Sequence, residues 1–187
     1  MWRVVNIFVE APDEAIEAVA DETFDFEALF RRHYGRIALA AVRIVRDPAR
    51  AEEIATEAFW KLWRKKAAQN GNTVGWLYRT AVRMALDELR QKARRIKRES
   101  ESVDRPADLS PEDAHGAEQE RDRVRQVLAC LEPRQAELLL LRNNDLSYAE
   151  VAEALELNPS SVGTLISRAR QAFRREYVTR YGEPDYE

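Results

Sequence analysis

One cysteine, Cys130, occurs in 187 residues, so no internal disulfide can form. It stands between Leu128 and Leu131 on a stretch with helical spacing. A buried, inert thiol is expected there, in a reducing, cytoplasmic setting. Histidine is almost as scarce: His33 and His115 lie far apart without ligand-like spacing, and no zinc site is expected. With only 6 glycines and 7 prolines the chain has few points of interruption. No strand pattern or internal repeat is evident. No apolar run approaches the length of a membrane span, so direct membrane insertion is not expected. Residues 2–9 are apolar, but Asn6 interrupts them and acids follow without a small-residue cleavage site. They do not read as a signal peptide. Paired carboxylates in a cleft-like context, a nucleophile with a histidine partner and a phosphate loop are all missing. No enzyme activity, cofactor or small-molecule substrate is expected.

What is present is charge, and it is segregated. The formal net charge is only −3. Residues 1–30 carry one basic and eight acidic side chains, a net −7. Residues 31–98 carry eighteen basic and six acidic, a net +12. Residues 99–122 carry two basic and nine acidic, a net −7, and residues 123–187 nine basic and ten acidic, a net −1. A helical segment at +12 between acidic neighbours is an electrostatic footprint for a polyanion.

Apolar periodicity divides the chain into two helical modules. In the first, Phe26, Leu29, Phe30, Tyr34, Ile37, Ala41 and Ile44 recur at helical spacing. Asp47-Pro48 reads as a cap and a first-turn proline, and opens a helix with Ile54, Ala58, Phe59 and Leu62 on one side. Asn70-Gly71-Asn72 is a turn signal. A third helix follows, with Trp76, Leu77, Ala81, Met84, Ala85 and Leu89 as its expected apolar face and a basic end at Arg90, Lys92, Arg94 and Arg95. Residues 99–117 are Ser, Glu, Asp and Pro with little apolar content, which predicts a flexible linker. The expectation is all-α: two small helical domains, 23–98 and 118–181, joined by a flexible acidic linker at 99–117. An extension at 1–22 and a tail at 182–187 flank them.

The second module holds the strongest local pattern. Ser147-Tyr148-Ala149-Glu150 fits a capping box. Asn158-Pro159 starts a further helix, and Ala152, Leu157, Val162 and Leu165 have the spacing of a helix-turn-helix. The remaining face of its second helix presents Ser160, Ser161, Thr164, Ser167, Arg168 and Arg170, with Arg174 beyond. Hydroxyls and arginines of this kind reach base edges and phosphates in a major groove. In the first module Trp76 and Tyr78 stand beside Arg79 and Arg83, with Arg90 and Arg94 further along; aromatics stack on unpaired bases while arginines hold the backbone. The preceding helix sets Glu53, Thr56, Glu57 and Trp60 opposite its apolar face, a pattern suited to a protein contact.

These segments, in this order, resemble the extracytoplasmic-function class of RNA polymerase sigma factors over roughly residues 24–177. Residues 47–63 are similar to the family's polymerase-docking segment. Trp76-Leu77-Tyr78-Arg79-Thr80-Ala81 with Leu86-Asp87-Glu88-Leu89-Arg90 resembles its segment for promoter melting and the minus-ten element. Leu131-Glu132-Pro133-Arg134-Gln135 and the helix-turn-helix through Arg170 resemble its domain for the minus-thirty-five element. The resemblance implies core RNA polymerase and promoter DNA as partners, and leaves open an anti-sigma factor. The chain departs from the family's pattern where Thr56 stands for a frequent glutamine, Arg83 for a common asparagine and Gly163 for a frequent arginine, and from the helix-turn-helix pattern where Glu156 holds the turn position usual for glycine. The competing reading is a two-domain regulator that binds duplex DNA through its helix-turn-helix without polymerase. Such a regulator finds its operator unaided, whereas a sigma factor needs core polymerase.

Overall fold

The computed structural model describes residues 24–69, 72–101 and 114–183. Among them are seven α-helices: α1 Phe26–Val45, α2 Pro48–Arg64, α3 Thr73–Glu101, α4 Ala114–Cys130, α5 Pro133–Asn143, α6 Tyr148–Ala154 and α7 Pro159–Tyr181. A short 3₁₀ turn, Lys66–Ala68, joins α2 to the approach to α3. The extension at 1–22 lies outside the described residues, as does the middle of the expected linker, 102–113. The ends of that linker range are helical, since α3 runs through Glu101 and α4 begins at Ala114.

Local chemistry sets the helix starts. Asp25 accepts from the Ala28 amide at 2.9 Å and Asp47 from the Arg50 amide at 3.1 Å, with Pro48 in the first turn of α2. Glu132 caps α5 ahead of Pro133, and Asn158 caps α7 ahead of Pro159. The α1 helix stops at Arg46, whose left-handed backbone (φ +60°) returns its amide to the Val42 carbonyl.

Helices α1, α2 and α3 pack around Ile37, Ala41, Ile44, Ile54, Ala55, Ala58, Leu62, Leu77, Ala81 and Ala85, all withdrawn from water. At one end an aromatic cluster closes this core. The Phe59 ring lies 4.9 Å from Phe30, 6.0 Å from Phe26 and 6.1 Å from Tyr34, measured between centroids. Arg50 ties α2 to α3 through Glu88 at 2.5 Å. The C-terminal module packs α4, α5, α6 and α7 around Ala136, Leu138, Leu141, Val151, Leu155, Val162, Ile166 and Ala169. Tyr177 donates to Glu120 at 2.7 Å and Tyr181 to Gln126 at 2.6 Å, which fastens α7 to α4.

Two expectations need correction. Cys130 is exposed, because it is the last residue of α4 and lies off that helix's apolar face. Helix α3 has more apolar surface than its expected face. Tyr78, Val82 and Leu86, four residues apart, are as buried as Leu77, Ala81 and Ala85. The added stripe is buried because α3 also meets α4, α5 and α6, and one continuous apolar cluster runs through both modules.

Truncating Phe59 to Ala removes the ring around which the cluster is built. Loss of about 3–5 kcal/mol is expected, read as a lower midpoint in urea unfolding followed by circular dichroism.

Candidate nucleic-acid interface

In the C-terminal module a capping box starts α6. The Glu150 amide donates to Ser147 Oγ at 3.2 Å, and the Ser147 amide donates to Glu150 Oε2 at 2.7 Å. Hydrogen bonds from Ser147 hold the Glu150 carboxyl below the usual glutamate range. The α6 helix ends in a turn where Glu156 takes a left-handed backbone (φ +54°) and the Leu157 amide returns to the Ala152 carbonyl at 2.7 Å. Val162 and Ile166 then anchor α7 against Val151, Ala152 and Leu155, and this fixes which side of α7 faces water.

On that outer side Ser160, Ser161, Thr164, Ser167 and Arg168 are all exposed. Gln171 and Arg175 are exposed as well and continue the strip from Thr164 and Arg168 at three- and four-residue spacing. Sequence reading passed over them, although that spacing was the available signal. Arg174 is exposed and pairs with Glu183 at 3.3 Å. Arg170 is set to the flank, where it borders a groove with Val124, Leu128, Leu139 and Phe173.

The six residues singled out on α3 are placed differently. Trp76 is half-buried, with Lys65 Nζ 5.8 Å from its ring centroid. Tyr78 is only 3% exposed. It lines a cavity of about 60 Å³ with His33, Arg36, Asp145, Leu146 and Glu150, so residues of both modules surround it. Arg79, Arg83 and Arg90 share one side of α3, and each is engaged by the C-terminal module. Arg79 Nη1 meets Glu156 Oε1 at 2.8 Å. Arg83 forms a two-pronged pair with Glu137, Nε to Oε1 at 2.7 Å and Nη2 to Oε2 at 3.1 Å. Arg90 donates to the Ala129 and Leu131 carbonyls at 3.4 and 3.3 Å. The Glu137 carboxylate raises the pKa of Arg83, and the Arg79 guanidinium lowers that of Glu156. Arg94 is exposed near the end of α3 and borders a basic groove with Lys92, Arg95 and Arg98.

The α2 face is open. Glu53, Thr56, Glu57 and Trp60 are exposed, Trp60 at 53%. They rim a shallow depression with Tyr34, Ala49 and Glu52. Thr56 Oγ1 lies 3.3 Å from the Tyr34 hydroxyl, and the Arg64 guanidinium stands 4.6 Å from the Trp60 ring centroid. Glu53 pairs with Arg50 at 2.6 Å and Glu57 with Lys61 at 2.9 Å. No group of three or more His, Cys, Asp or Glu arranged for a metal occurs among the described residues.

The family model described as Sigma-70 region 2 matches residues 29–95, and that described as Sigma-70, region 4 matches residues 121–173. The ECF RNA polymerase sigma factor SigK of Mycolicibacterium vanbaalenii is 32% identical over 157 residues, covering 80% of this chain and 78% of that one. The chain belongs to the extracytoplasmic-function sigma factors. SigE of Mycolicibacterium smegmatis, of the same class, is 30% identical over 186 residues, covering 93% of this chain and 72% of its own. A solved structure of the sigma factor RpoE with the anti-sigma factor NepR from Bartonella quintana aligns at a TM-score of 0.47 and 19% identity, over 81% of this chain and 96% of that one. As a sigma factor the protein binds core RNA polymerase and promoter DNA and directs transcription initiation. It is not an enzyme, and the reading as a polymerase-independent regulator is set aside.

The capping box of this sigma factor yields a pH-dependent prediction. Ser147→Ala should lower stability by about 1 kcal/mol. Glu150 has a lowered folded-state pKa, so its contribution is present at neutral pH and is lost as pH falls through that value. Glu150→Gln should therefore cost stability at pH 7, with the difference from the parent closing below about pH 4. Urea unfolding at the two pH values measures it.

Proposed function

We propose that this sigma factor divides its work among three faces, with residues 23–98 acting as the docking and minus-ten domain and residues 118–181 as the minus-thirty-five domain. The α2 face of Glu53, Thr56, Glu57 and Trp60 binds core polymerase. Its open carboxylates and exposed indole suit a partner surface carrying basic and apolar groups. Arg79, Arg83, Arg90 and Arg94 hold the DNA backbone around the minus-ten element. Trp76 and Tyr78 supply rings for unpaired bases once α3 is uncovered. The α7 strip reads the minus-thirty-five element, and the acidic linker spans the two. The work is done in the cytoplasm, consistent with no helix among the described residues being long and apolar enough to cross a membrane.

One observation carries this reading most directly: the exposed strip on α7 backed by a fully buried opposite face. Thr164 and Arg168 are one turn apart and enter the groove together, and Arg168 is the residue suited to a two-pronged contact with guanine. Ser160, Ser161 and Ser167 flank them and suit phosphate or water-bridged contacts. Arg170 and Arg174 hold phosphates, which positions α7 without reading sequence.

Each of the three faces yields a prediction. Arg168→Ala should weaken the best promoter strongly, by about 1–3 kcal/mol, and flatten preference at one or two base pairs. Arg174→Ala should weaken all promoters about equally and reduce the salt dependence of binding. Holoenzyme binding to a single-base-variant promoter library at two salt concentrations separates these effects. Equal loss on every variant for Arg168→Ala would make it a phosphate contact. For the other two faces, Glu53→Lys with Glu57→Lys should abolish transcription by weakening core binding while leaving the circular dichroism spectrum unchanged. Arg79→Ala should leave core binding intact and slow promoter opening. In vitro transcription with core polymerase, with and without each variant, checks both.

A further inference from the structure

Glu156 stands in the turn between α6 and α7 with a left-handed backbone (φ +54°), a conformation that favours glycine. The turn has the form in which helices commonly end on that residue. The Leu157 amide returns to the Ala152 carbonyl at 2.7 Å, and the Glu156 amide to the Glu153 carbonyl at 3.2 Å. A residue with a side chain is strained here, and such a conformation persists only where its surroundings impose it.

The group that imposes it comes from α5. Arg134 is half-buried and donates through Nη2 to the Leu155 carbonyl, the last acceptor before Glu156. At the other end of α6, Arg142 Nη1 donates to the Leu146 carbonyl at 3.1 Å, and its guanidinium lies 5.6 Å from the Tyr148 ring centroid. Arg142 stands eight positions after Arg134 on α5, a rise of about 12 Å, and the seven residues of α6 span about 10 Å. One guanidinium therefore sits at each end of α6. A helix this short has little stability of its own, and its ends are held from outside.

Helix α7 follows the turn and rests on α6 through Val162 and Ile166. Arg168 lies nine positions beyond Pro159. That is about 14 Å along the helix, so a tilt of about 4° at the turn moves it by about 1 Å. A hydrogen bond to a base edge holds over a range of only about 0.5 Å. Base reading by α7 is therefore sensitive to the angle of the turn.

We propose that Arg134 is a positioning residue for minus-thirty-five recognition. By holding the Leu155 carbonyl it fixes a turn that glycine would hold unaided, and so aims Thr164 and Arg168 at their base pairs. Arg134 itself touches no base. The inference rests on the reading of α7 proposed above.

The test measures holoenzyme binding across the single-base-variant promoter library. R134M removes the guanidinium and keeps the apolar stem. It should lower discrimination at the base pairs read by Thr164 and Arg168 by about fivefold, the lower end of what one good base contact supplies. R134M/E156G should regain parental discrimination, because glycine takes this backbone without strain. R134M/E156Q keeps the strained turn and loses only the charge, and should stay as low as R134M. Parental discrimination in R134M with only a lower urea midpoint makes Arg134 merely structural and overturns the proposal. A loss that E156G does not restore overturns it too; if that loss is equal on every variant, Arg134 is a phosphate contact. Rescue by E156Q, or a flattened pattern in E156G alone, would place the effect in the Glu156 side chain and also overturns it. If R134M loses its helical circular dichroism, R134M/E156G decides: recovery of helicity and discrimination supports the role, and continued loss overturns it. Arg168→Ala in the same library separates the two failures. If it flattens preference while R134M does not, the reading of α7 stands and only the positioning falls.

Discussion

Leu77, Ala81 and Ala85 on one side of α3, and Tyr78, Val82 and Leu86 on the adjoining side, are all withdrawn from water. Only a helix with neighbours around most of its circumference can bury both stripes. The first is covered by α1 and α2 and makes the N-terminal core. The second draws in the C-terminal module, so α3 meets α4, α5 and α6 as well. Burial of apolar surface on this scale is non-directional. The direction comes from the arginines beside the second stripe. Arg79, Arg83 and Arg90 each find an acceptor on the other module, and this fixes how the modules meet.

Those arginines present donors that any oxyanion can accept. Toward the C-terminal module they meet carboxylates and carbonyls; toward a promoter they would meet phosphates. A guanidinium offers the same fork of donors to each, which makes such competition possible on one helix face. The +12 charge of residues 31–98 is therefore partly neutralised within the chain, by acids that the sequence places far away, at Glu118, Asp122, Glu137 and Glu156. The α2 face needs no such cover. Two of its acids are matched by a cation on the same helix, Glu53 by Arg50 and Glu57 by Lys61, and Trp60 is 53% exposed.

Much of this was legible in the sequence, for local reasons. Helix starts at Asp25, Asp47, Ser147 and Asn158 are written in residues three or fewer positions from the amides they satisfy. The exposed strip of α7 follows from the three- and four-residue spacing of Val162, Ile166 and Ala169 on its opposite side. The exposure of Cys130 escaped, because two residues turn it about 200° away from Leu128 and only packing decides which side is inward. Tyr78 escaped for a related reason. Its surroundings, His33, Arg36, Asp145 and Glu150, come from three elements that no spacing rule connects.

The sequence by itself determined the helices, their capped starts, the apolar core of each module and the family, because capping and periodicity act over a few residues. Tertiary structure alone decided which charges meet across the modules. Arg83 and Glu137 are 54 positions apart, and Arg79 and Glu156 are 77 apart. A pair at that separation forms only after two packed modules have brought its helices together, and its strength depends on burial that no local pattern carries.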